Sequence, residues 1–81
     1  MNRLEALKSN SSATRCNAIV SCIENGNVTA SEIAIIESLL NDEHMIVGRK
    51  ISSFAKAALD ILGMRKNDGD LDAQDLIKAF S

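Results

Sequence analysis

The apolar positions recur at helical spacing along almost the whole chain. Over residues 13–24, Ala13, Cys16, Ile19, Val20 and Ile23 fall on one arc, and Gly26 comes next as a helix stop. Over 30–41, Ile33, Ile35, Ile36, Leu39 and Leu40 fall within roughly 160° of arc. The cleanest such face runs over 46–62, where Val47, Ile51, Phe54, Ala55, Ala58, Leu59, Ile61 and Leu62 cluster while Arg49, Ser52, Ser53, Lys56 and Asp60 point away. Gly63 ends that helix, with Met64 placed to make the apolar contact typical after a glycine stop. A last short helix is expected over 73–80. Residues 1–10, with Leu4 and Leu7, give a weaker turn before the break Ser9-Asn10-Ser11-Ser12, whose serines can cap the next helix.

The starts of the second and fourth helices share a device. Gly26-Asn27-Val28-Thr29-Ala30-Ser31-Glu32-Ile33 parallels Gly69-Asp70-Leu71-Asp72-Ala73-Gln74-Asp75-Leu76. Thr29 or Asp72 is the expected N-cap, with Glu32 or Asp75 reaching back to it. Val28 or Leu71 is placed to pack on Ile33 or Leu76 as a hydrophobic staple. The expected fold is therefore all-α: one domain, a compact bundle of four to five short helices arranged as two helix-loop-helix hairpins, 11–41 and 46–80.

Composition narrows the chemistry. The 81 residues carry 9 basic and 11 acidic side chains, a balance against a dedicated nucleic-acid binder. The N-terminus has no signal-peptide core and no apolar run is long enough to span a bilayer, so a cytoplasmic protein is expected. Cys16 and Cys22 lie six positions apart on one helix, about 120° around the axis, and cannot bridge. They read as buried small hydrophobes in a reducing compartment. His44 is the single imidazole, too few ligands for a zinc site. With no phosphate loop and no nucleophile motif, neither catalysis nor a cofactor nor a metal is expected.

Two stretches resemble known families. Asn25-Gly26-Asn27-Val28 and Asp68-Gly69-Asp70-Leu71, each followed by a carboxylate at Glu32 or Asp75, resemble a degenerate EF-hand or dockerin pair. That likeness implies little or no calcium affinity, because Ser21, Ile23, Met64 and Lys66 stand at the first ligand positions. Residues 33–80, through Ile36-Glu37-Ser38-Leu39-Leu40-Asn41-Asp42, Val47, Arg49 and Ala57-Ala58-Leu59-Asp60-Ile61-Leu62-Gly63, resemble a HEAT-type helical repeat. That likeness implies a stacked-hairpin binding scaffold.

Charge alternates along the chain: +2 over residues 1–23, −5 over 24–47, +4 over 48–66 and −3 over 67–81. Twenty-four Leu, Ile, Val, Met and Phe beyond Met1 are ample for so small a chain, and the Met45-Ile46-Val47 run with the broad face of helix 30–41 is more than three other short helices can readily cover. The excess points to a non-catalytic protein-interaction module, a small regulator or inhibitor of a larger assembly or a homodimer. Its expected anchors are Ile35, Leu39, Met45 and Ile46, rimmed by Glu37, Asp42, Glu43, Arg49 and Lys56. The alternative is a helix-turn-helix DNA regulator reading with helix 46–62 through Arg49, Lys50, Ser53 and Lys56.

Overall fold

Four of the five helices begin where a side-chain oxygen takes one of the first free N–H groups. Asn2 caps α1 (Arg3–Leu7), Ser11 caps α2 (Ser12–Asn25), Thr29 caps α3 (Ala30–Ser38) and Asp70 caps α5 (Leu71–Phe80). The fifth, α4 (Ile51–Ile61), has no side-chain cap. Instead its Ile51 and Ser52 N–H groups donate to the backbone carbonyls of His44 and Asp42, at 2.9 and 2.8 Å. The computed structural model describes residues 2–81; Met1, first in the expected N-terminal turn, lies outside them.

The all-α bundle expected from the periodicity is what forms, with one addition. A 3-10 turn (Leu39–Asn41) continues α3, and a two-residue β-hairpin, β1 (Met45–Ile46) and β2 (Arg49–Lys50), precedes α4. This corrects the expected helix 46–62, which starts five residues later, at Ile51. At Gly26 the chain turns out of α2 with φ 68°, the left-handed stop that glycine makes without a Cβ clash.

Helix α4 occupies the centre, packed against α2, α3, α5 and the 3-10 turn. Ala55, Ala57, Ala58, Ile51 and Leu59 are fully buried on it. The alanines let neighbouring helices approach closely on several sides, so α4 is buried nearly all round rather than along one stripe. Ser52 and Ser53, expected to face away, are buried for this reason. Leu7, Ile19, Cys22 and Ile36 complete the most buried set, so the weak N-terminal turn is a helix with a core anchor. Both cysteines are free and buried, and burial pushes their thiols up.

The two helix-start devices diverge. At α3 the capping box is complete: Thr29 Oγ1 accepts from Glu32 N and Glu32 Oε1 accepts from Thr29 N. At α5 the cap is Asp70, not Asp72, and Ala73 at the third helical position has no carboxylate to reach back. Leu71 is 80% exposed, so it forms no staple. Met64 is likewise largely exposed, although its N–H closes the end of α4 on the Leu59 carbonyl at 2.8 Å.

Glu32 also ties α1 down. Arg3 Nε lies 2.6 Å from its Oε2 and Arg3 Nη2 lies 3.0 Å from its Oε1, while Nη2 also donates to the Asn27 carbonyl. The Arg3 guanidinium and then the Thr29 N–H outweigh burial and hold the Glu32 carboxyl down at about 2, against an ordinary 4.5. A depressed carboxylate stabilises the fold above its unfolded pKa and ceases to as pH falls through its folded one. Stability is therefore expected to fall between about pH 4.5 and 2, and Glu32→Gln to flatten that part of the curve while lowering the plateau at pH 7. Urea denaturation at a series of pH values measures both; an unchanged acid limb in the variant contradicts the assignment.

Candidate functional site

The hairpin is built from the inside outwards. Met45 pairs with Lys50 and Ile46 with Arg49, and cross-strand partners share a face. Ile46 and Arg49 are half-buried, with Ile46 against the core, whereas Met45 and Lys50 face solvent. Val47 and Gly48 form the two-residue turn, with φ of 53° and 80°. Positive φ at both positions is what a type I′ hairpin turn requires, and Asn-Gly is the pair that meets it most readily. Glycine does so at Gly48 without cost. Valine does not: a β-branched side chain in the left-handed region is strained by about 1–3 kcal/mol. Val47 is also 87% exposed, so no packing within the chain compensates.

An ionic cluster seats the hairpin. Arg15, buried on α2, places Nε 2.9 Å from Asp42 Oδ2, an ion-pair contact angled too poorly to count as a hydrogen bond. Its Nη1 donates to the Ser9 carbonyl at 2.8 Å and its Nη2 to Ser12 Oγ at 3.3 Å. Asp42 Oδ1 accepts from the His44 N–H at 3.0 Å and lies 2.7 Å from His44 Nδ1. Two acceptors would repel at that distance, so Nδ1 carries the proton. The 3.2 Å approach of Arg15 Nη2 to the same nitrogen is then no second hydrogen bond. Burial pushes the Asp42 carboxyl up, but the His44 donors and the Arg15 guanidinium outweigh it and hold it below the ordinary range.

The expected anchors separate in space. Leu39 belongs to the core, and Ile35 and Ile46 are half-buried against it. Met45 is 57% exposed and stands with Val47 on the hairpin. Of the rim, Glu43 pairs loosely with Lys50 at 4.0 Å, Asp42 is occupied by Arg15 and His44, and Glu37 is exposed on α3. Lys56 lies 3.2 Å from Asp70, which also accepts from Ser53. Helical periodicity places Val47 on the core side, but it stands exposed at the hairpin tip; the glycine after it was the available signal.

The DNA-reading set does not share an exposed helical face. Arg49 and Lys50 sit on β2, Ser53 is buried with Oγ 3.0 Å from Asp70 Oδ2, and Lys56 is paired with the same carboxylate. Two carboxylates of the EF-hand resemblance, Glu32 and Asp70, are likewise employed elsewhere. Both Glu32 oxygens are taken by Arg3 and Thr29, and Asp70 is taken by Ser53, Lys56 and the Ala73 N–H. Among the described residues no group of three or more His, Cys, Asp or Glu could hold a metal ion, and no helix is long and apolar enough to cross a membrane. In the HEAT-type resemblance α4 would begin near Val47, where this chain inserts the β-hairpin.

No protein-family model, curated protein or solved structure matches this chain, so its functional reading rests on its own geometry.

Proposed function

We propose that this chain is a non-catalytic protein-interaction module, a small regulator or inhibitor of a larger assembly, which docks through the tip of the β-hairpin. The observation that carries the reading is Val47: a β-branched side chain held at φ 53° in a tight turn and left 87% exposed. A turn shaped only for stability would place Asn there. A partner cleft that receives the isopropyl group offsets the strain, and strained backbone concentrates at binding sites for that reason. Met45 adds a flexible, polarisable neighbour on the outward face, suited to an irregular apolar surface. Arg49, Lys50 and Glu43 supply a polar edge, while Ile46 fixes the knob to the core.

Support for a non-catalytic role comes from how the reactive groups are engaged. The one imidazole is bonded to Asp42, and both thiols are buried and pushed up. Neither thiol is set up as a nucleophile, and among the described residues no hydroxyl or thiol is hydrogen-bonded to the imidazole for it to activate.

Replacing Val47 separates fold from function. Val47→Asn is expected to stabilise the chain by about 1 kcal/mol, raising Tm by about 4–8 °C. Partner capture should weaken at least tenfold at the same time. Differential scanning calorimetry measures the first effect. A photo-crosslinker at position 47, compared with one at the exposed Lys78, identifies the partner in a lysate and allows the second to be measured. A variant that is destabilised removes the strain argument; undiminished capture removes the docking site.

A further inference from the structure

Five large apolar side chains are exposed among the described residues, and three of them, Ile61, Met64 and Leu71, lie at the end of α4 and the start of α5. Their surroundings form one continuous surface. A hollow beside Met64 is lined by Arg65 and Lys66; the next shares those two residues and adds Lys56 and Asp68; a third shares Lys56 and Asp68 and extends to Leu71 and Asp72. One end of this surface is therefore apolar and basic, the other apolar and acidic. Arg65, Lys66, Asp68 and Asp72 take part in none of the ion pairs among the described residues.

We infer that this surface is the contact between two copies of the chain, related by a two-fold axis. In an isologous interface, a group at one end of the patch meets the group at the other end in the partner, and the reverse contact repeats it. Here the two-fold sets Arg65 and Lys66 of one copy against Asp68 and Asp72 of the other, and Met64 against Leu71 beside them, each contact made twice. A surface with opposite charges at its ends is complementary to itself in this antiparallel sense and self-repelling when laid parallel, which fixes the register. A standard interface buries about 800 Å² per partner, roughly a sixth of the 4733 Å² exposed here. Met64 and Leu71 do not reach that area alone, so the pairing depends on its charges. It uses no hairpin residue, and each dimer presents two Val47 knobs. Two linked knobs bind a repetitive partner with greater avidity than one. The pairing does not depend on the hairpin reading, and its test involves no other protein.

The test is a charge exchange read by sedimentation equilibrium. The wild type should dimerise over about 10 µM to 1 mM and loosen at least tenfold in about 0.5 M salt, where screening shortens to a few ångströms. Arg65→Glu with Lys66→Glu makes both ends of the surface net acidic; Asp68→Lys with Asp72→Lys makes both ends net basic. Each double variant alone should be monomeric, and an equimolar mixture should form heterodimers. All four side chains are exposed, and circular dichroism checks that each variant folds. A wild type that stays monomeric at the highest concentration overturns the inference. So does a double variant that dimerises as the wild type does, or a mixture that fails to pair.

Discussion

Leu59→Ala is expected to cost about 3–5 kcal/mol, from lost transfer energy plus a cavity that close-packed neighbours cannot fill. Leu59 is fully buried on the central helix, among side chains from several elements. Its carbonyl accepts the Met64 and Arg65 N–H groups that close α4, and alanine keeps both bonds, so the loss reports the side chain alone. A chain of this length has a total stability of about 4–12 kcal/mol. The variant therefore loses about a quarter or more of it, and Tm falls by more than about 10 °C at about 4–8 °C per kcal/mol. Leu71→Ala is the control when measured at about 1 µM, below the range in which two copies pair: equal chemistry at an exposed site, expected to change stability by less than about 0.5 kcal/mol. Urea titration with an unchanged m-value separates the two. A loss below about 1 kcal/mol at Leu59 would falsify the placing of α4 at the centre of the core.

How much of the fold is legible in the sequence depends on the range over which each signal acts. Helices α2 and α3 could be read because their apolar period, caps and stops are local: Ser11, Gly26 and the Thr29–Glu32 box each act within four residues. The start of α4 could not be read that way. Val47, Ile51 and Phe54 keep a helical spacing of four and three, and the hairpin takes the same letters with only Gly48 to mark it. The usual companion of that glycine in a type I′ turn is Asn, and valine in its place conceals the turn. Misplacing Val47 also hid it as a candidate contact, because a residue assigned to a buried helical face is not looked for at a hairpin tip. Asp70 and Asp72 are equally good caps by local rules; Ser53 and Lys56, 17 and 14 residues away, decide for Asp70. Leu39 was expected to be exposed because α3 carries more apolar residues than one stripe needs. Its 3-10 turn bends it onto α4, a tertiary contact that no local pattern encodes.

Arg15→Met should have an effect as large as the core cavity and a different signature. Methionine keeps the apolar stem but removes the cation, leaving the Asp42 carboxylate, with only 11% of its side chain exposed, facing an apolar group. The Ser9 carbonyl and Ser12 hydroxyl lose their donor as well. Removing one partner of a buried pair costs about 3–5 kcal/mol, chiefly through the charge left behind. Adding Asp42→Asn should recover part of that, since the stranded charge is then gone. The sign of the pH effect is set by Asp42 being held below its ordinary value. In the wild type its share of stability is present above the unfolded carboxylate pKa and is lost as pH falls. Without Arg15 that acid limb becomes shallower. The damage should also be local. Asp42 and His44 supply the carbonyls that receive the Ser52 and Ile51 N–H groups, so those two amides should exchange faster in Arg15→Met by more than the global loss explains. Uniform acceleration, reaching Ile19 in α2 equally, would mean that the cluster only adds stability and does not seat the hairpin. If the acceleration is local, Arg15→Met loses partner capture while its helices remain intact, as Val47→Asn does, although Arg15 is buried and touches no partner.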